Sequence, residues 1–174
     1  PGDSLRYSLA APAGFTAAAG TFVLAAGSGS GEQTIGMDTG TAGPKSGTLT
    51  LTSNDPDTSA KAVLLSGTVL RHAVASLDSL AVVTADTLDF GELPRAAFTD
   101  QVARVFNPGY DALQARLAVN DGVIGGGDGH FSIVGGFAAA LVAGTPAGFA
   151  VHFDTTGVVN DSTYEATLTF TCAD

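Results

Sequence analysis

Apolar and hydroxyl residues alternate in two stretches of this chain, and the second stretch nearly repeats the first. Ser46–Asp55 is SGTLTLTSND, and Glu165–Asp174 is EATLTFTCAD. A hydrophobic period of two is typical of a β-strand that buries one face. The identical positions are Thr48, Leu49, Thr50, Thr52 and Asp55 in the first stretch and Thr167, Leu168, Thr169, Thr171 and Asp174 in the second. The chain is therefore predicted to contain two copies of one β module.

Other short alternating segments precede each repeated strand. In the first copy they predict strands at Ser4–Ala10, Thr21–Ala25 and Gln33–Asp38, and Ala60–Val69 follows as a last strand. In the second copy they predict strands at Val74–Val83, Thr87–Gly91, Phe98–Asn107, Ala112–Ala118, His130–Val134 and Phe149–Asp154. Leu5 and Leu9 are aligned with Leu113 and Leu117, because both pairs place leucine four residues apart. Helical periodicity is weak throughout, which predicts an all-β protein.

The two copies include different parts of the repeat. The first copy has no counterpart of Val74–Asn107, and the second has no counterpart of Ala60–Val69. Short strands at regular spacing favour β-sandwiches, so we expect an incomplete sandwich at 1–70 and a second one at 71–174 that lacks its last strand. Two explanations stay open: a piece of a longer array, or strands supplied by neighbouring chains, since an incomplete sandwich exposes unpaired backbone.

Composition excludes several classes of partner. The chain has 174 residues and a formal net charge of −10, which disfavours phosphate backbones and anionic membranes. The uncharged run Ile133–Val151 is about long enough to cross a bilayer, but its glycines and proline predict strand–turn–strand instead. A single cysteine, Cys172, rules out an intrachain disulfide. Neither nucleic-acid binding nor membrane insertion is expected.

Several segments together resemble the choice-of-anchor D repeats of bacterial surface proteins, which are relatives of the hydin-type (ASH) immunoglobulin-like domains. These segments are LDFGELP at Leu88–Pro94, VFNPGYDALQ at Val105–Gln114, FAVHFDTTG at Phe149–Gly157, SGTLTLTSNDPD at Ser46–Asp57 and LLSGTV at Leu64–Val69. The resemblance implies tandem immunoglobulin-like β-sandwiches on an extracellular or cell-surface protein. It also implies a structural role without catalysis.

Candidate chemistry is sparse. His72, His130 and His152 are scattered along the chain, and no nucleophile elbow or phosphate-binding motif occurs, so no enzyme activity and no cofactor are expected. The glycine-rich segment Asn120–Gly129 predicts a long loop. Its carboxylates, Asp121 and Asp128, are candidate calcium ligands, since calcium prefers oxygen donors and glycines let a loop wrap closely; the alternative is an ordinary glycine-rich loop. Cys172 follows the inward parity of Phe170, which predicts a buried thiol.

Two functions from different classes remain. The first is a structural repeat that acts as a spacer or as a subunit of a filament or matrix. Its partners are neighbouring copies of the repeat or chain, and inter-chain strand complementation is one way in which these copies could join. The second is an adhesive module that binds glycan or a surface protein through loops at one end of the sandwich, with Asn120–Gly129 as the motivating loop.

Overall fold

A computed structural model describes residues 4–28 and 31–174 of the chain. It divides into two compact units, Pro1–Leu70 and Arg71–Asp174. Within the described residues, strands account for nearly all regular structure, and the helical segments are two short 3-10 turns at Arg95–Ala97 and Gly127–Gly129. The prediction of an all-β protein is confirmed.

The first unit is built on a four-stranded antiparallel sheet. Its strands are β1 (Leu5–Ala10), β2 (Phe15–Ala17), β3 (Thr21–Leu24), β4 (Ile35–Met37), β5 (Gly43–Ser53) and β6 (Ala60–Val69). The order in the large sheet is β3-β1-β5-β6, and β2 pairs with β4 in a separate two-stranded ribbon. The repeated sequence Ser46–Asp55 thus lies in a central strand, with a neighbour on each side.

The ribbon of the first unit packs on one face of the large sheet. A Cβ atom added to Gly67 of β6 would lie 2.6 Å from the sulfur of Met37 in β4, so the end of the Met37 side chain packs directly over this glycine. Tyr7 and Leu49 are buried on this face. Beside the ribbon, an open apolar groove is lined by the side chains of Leu5, Leu9, Leu24, Ile35 and Leu51. The ribbon therefore covers only part of the apolar face.

The second unit has two three-stranded antiparallel sheets. Its strands are β7 (Gln101–Val105), β8 (Leu117–Gly126), β9 (Phe131–Ile133), β10 (Ala140–Val142), β11 (Ala147–Phe153) and β12 (Ala166–Ala173). The sheet orders are β10-β8-β12 and β7-β11-β9. One core cluster joins both sheets, because its buried members come from four of these strands: Val105, Leu117, Val119, Val142 and Phe149.

The two units share a strand order and a register. The order β3-β1-β5 in the first unit has the form of β10-β8-β12 in the second. The pairs also correspond: Leu5 lies opposite Leu24 as Leu117 lies opposite Val142. The ribbon β2–β4 corresponds to β9–β11, where Phe15–Met37 and Phe131–Phe153 are equivalent pairs. The pairing pattern of one unit thus recurs in most of the strands of the other.

The alignment of Leu5 with Leu113 was wrong. Equivalent pairing places Leu5 with Leu117, four residues further along the chain, and the strand predicted at Ala112–Ala118 begins only at Leu117. The predicted inward-facing residues were still correct, because a shift by four residues leaves the same side chains on the same face of a strand.

The prediction of a loop at Asn120–Gly129 was also wrong, because most of this segment is strand β8. Two of its glycines lie against aromatic rings. A Cβ on Gly122 would lie 2.7 Å from the ring of Phe137, and one on Gly127 would lie 2.6 Å from the ring of Phe131. Aromatic side chains thus occupy the space that larger residues would fill.

The start of the second unit differs from the prediction as well. The segments Val74–Val83 and Thr87–Gly91 contain no regular strand. An isolated bridge joins Ser76 to Phe106, and the Ser76 hydroxyl accepts hydrogen bonds from the N–H groups of Asp78 and Val83. Side-chain hydrogen bonds to local backbone compete with strand pairing, which explains why an apolar segment here forms a turn.

The uncharged run 133–151 contains β10 and most of β11, in agreement with the strand–turn–strand prediction. Among the residues that the structure describes, no helix has the length and apolar character needed to span a membrane.

Candidate functional site

The most distinctive feature of the second unit is an unpaired edge on β12. In the first unit β5 lies between β1 and β6, whereas β12 pairs with β8 alone among the described strands. Strand β6 therefore has no counterpart beside β12. An edge strand presents a row of free backbone N–H and C=O groups that can pair with another strand.

The β12 edge carries few of the features that normally block such pairing. Natural edge strands are protected by charges, by proline, by bulges or by being short. Strand β12 has the sequence ATLTFTCA over 8 residues, without a charge or a proline. A single register shift occurs between Thr171 and Cys172. By contrast, the edge strand β10 has only 3 residues, and β7 carries Arg104. The β12 edge is thus long and weakly protected.

The missing neighbour changes the burial of a repeated leucine. Leu49 of β5 lies opposite Val63 of β6 and is only 7% exposed. Its counterpart Leu168 occupies the same position in β12 but is only half-buried. Both leucines face the interior of their units, and the more buried one belongs to the strand that has a neighbour on each side among the described strands.

The first unit lacks a different strand. In the second unit β11 pairs with both β7 and β9, whereas its counterpart β4 pairs with β2 alone among the described strands. Val105 of β7 is a buried member of the core. The first unit instead has the open groove beside its ribbon. Among the described strands, β6 of the first unit and β7 of the second thus have no equivalent in the other unit.

Asp174 ties the end of β12 to the beginning of its unit. Its carboxylate accepts a hydrogen bond from the backbone N–H of Ala73 at 2.8 Å and lies 2.8 Å from Nδ1 of His72. The Ala73 hydrogen bond, followed by that of His72, lowers the pKa of Asp174. These contacts hold the end of β12 next to His72 and Ala73, near the beginning of the unit.

A buried asparagine holds several segments of the second unit together. Asn107 is 4% exposed. Its oxygen accepts hydrogen bonds from Val74 N–H and from Gln114 Nε2, at 2.9 and 3.0 Å. Its nitrogen donates to the carbonyl of Ala115 at 3.0 Å. In the sequence, Asn107 followed by Pro108 and Gly109 is a signal for a turn. That signal does not indicate the buried hydrogen bonds that the asparagine side chain makes.

The structure does not bring the candidate calcium ligands together. Asp121 lies within β8, opposite Thr171, and its carboxylate accepts a hydrogen bond from the N–H of Gly122. Asp128 lies in the 3-10 turn beyond the strand, with φ at 51°. The five residue-to-residue steps of strand from Asp121 to Gly126 extend about 16 Å. The calcium prediction thus loses the loop geometry on which it rested.

The histidines lie apart, each with its own partner. Nδ1 of His152 is 2.7 Å from a carboxylate oxygen of Asp100, and the side chain is exposed, as its parity predicted. Nδ1 of His130 is 2.9 Å from the carbonyl oxygen of Asp154, and its ring packs on Tyr164. Within residues 4–28 and 31–174, no cluster of His, Cys, Asp or Glu side chains is suited to hold a metal ion.

Cys172 packs against the core of the second unit. It lies opposite Val119 in β8 and is half-buried. Burial raises the pKa of its thiol. Because the thiolate is the reactive form of cysteine, this side chain is protonated and weakly nucleophilic at neutral pH.

Comparisons of the chain with protein-family models, with curated proteins and with solved structures found no match.

Proposed function

We propose that this protein is a non-catalytic structural repeat of an extracellular or cell-surface protein, made of tandem immunoglobulin-like modules that join through their free sheet edges. It would serve as a spacer or as a subunit of a filament or matrix. The observation that carries this proposal is the correspondence of strand order and register between the two units. Among the described strands, β12 and β4 each pair on one side alone. A contact between unlike edges does not close on itself and therefore favours linear assembly.

The internal repeat supports the same function. Repeated modules that pack on their neighbours build extended structures, and such architectures need no catalytic groups. The resemblance to surface repeats in the sequence implies the same location and role. The net charge of −10 is compatible with repeats that meet through backbone pairing and not through opposite charge.

The observation that favoured the adhesive alternative does not hold in the structure. It depended on a long loop at Asn120–Gly129, and that segment is mostly strand. The aromatic ring of Tyr110, which could serve as a face for a sugar, is half-buried. The structural repeat is therefore the better supported function.

Light scattering coupled to size exclusion, over a concentration series, tests assembly through the free edges. We expect the mass to grow with concentration. Thr169→Lys should suppress this growth, because a charge on an edge strand disfavours pairing. Thr50→Lys is the matched control, since Thr50 is the repeat counterpart in β5, whose edges are both paired. A single mass at every concentration, or equal effects of both variants, would contradict assembly through β12.

A further inference from the structure

We draw no further inference here: the strongest candidate, the open apolar groove beside the β2–β4 ribbon of the first unit, carries nothing because nothing among the described residues shows what covers it.

Discussion

Strands β5 and β12 carry nearly the same sequence but hold different places in their sheets. Strand β5 is central and β12 is an edge. Alternation of apolar and polar residues determines which face of a strand is buried, and it does so equally well in both cases. It does not determine how many neighbours the strand has. The comparison shows that one sequence pattern serves as a central strand in the first unit and, among the described strands, as an edge strand in the second.

The largest effect should come from removing the repeated leucine. Leu49→Ala should lower the free energy of unfolding of the first unit by about 3 kcal/mol, because the side chain is fully buried. Leu168→Ala should lower that of the second unit by about half as much, since its counterpart position is only half-buried. Amide hydrogen exchange followed by mass spectrometry assigns each loss to its unit. Equal costs of the two leucine variants would show that the pairing of β5 with β6 has no influence on the burial of the leucine.

Two asparagines give the next comparison. Asn107→Ala should destabilise the second unit by about 2–3 kcal/mol, because buried partners lose their hydrogen bonds. Asn54 also bonds the backbone, through the N–H of Arg6 and the carbonyl of Ser4, but it is exposed. Asn54→Ala should therefore change the free energy of unfolding of the first unit by less than about 1 kcal/mol. Chemical denaturation combined with hydrogen exchange measures the loss of stability of both variants. A larger loss for Asn54→Ala than for Asn107→Ala would refute the role of Asn107 in joining segments.

The sequence could predict the strands but not all their partners. The parity of Leu49, Phe22 and Ile35 was sufficient to identify inward faces, because burial acts on every second residue. The register between β1 and β8 was missed because leucines four apart fit two alignments equally well. The hydrogen bonds of Asn107 and Ser76 join residues distant in the chain, so no local pattern reports them. The glycines of β8 were mistaken for a loop.

Those glycines provide a third comparison, between equivalent cross-strand pairs. Leu9 lies opposite Leu51 in the first unit, and Gly122 lies opposite Phe170 in the second. Gly122→Ala should destabilise the second unit by about 1–3 kcal/mol, because the added methyl group overlaps the ring of Phe137. Gly125→Ala, in the same strand, meets nothing within 4 Å and should be nearly neutral. Similar losses at both positions, measured by thermal unfolding, would mean that strand β8 needs glycine for flexibility instead of space.

The smallest effect concerns the last repeated residue, which does different work in the two copies. Asp55 accepts hydrogen bonds from Asp57 and Thr58 within the β5–β6 turn, whereas Asp174 accepts them from Ala73 and His72. Since the folded-state pKa of Asp174 is lowered, its contribution to stability is complete above the unfolded value of about 3.9 and is lost as the pH falls through the folded value. Asp174→Asn should remove this part of the acid dependence of the second unit. His72→Gln should keep most of it, because the Ala73 hydrogen bond is the larger cause. If His72→Gln flattened the pH dependence as fully as Asp174→Asn, the contact with the histidine, and not the backbone of Ala73, would hold the end of β12 in place.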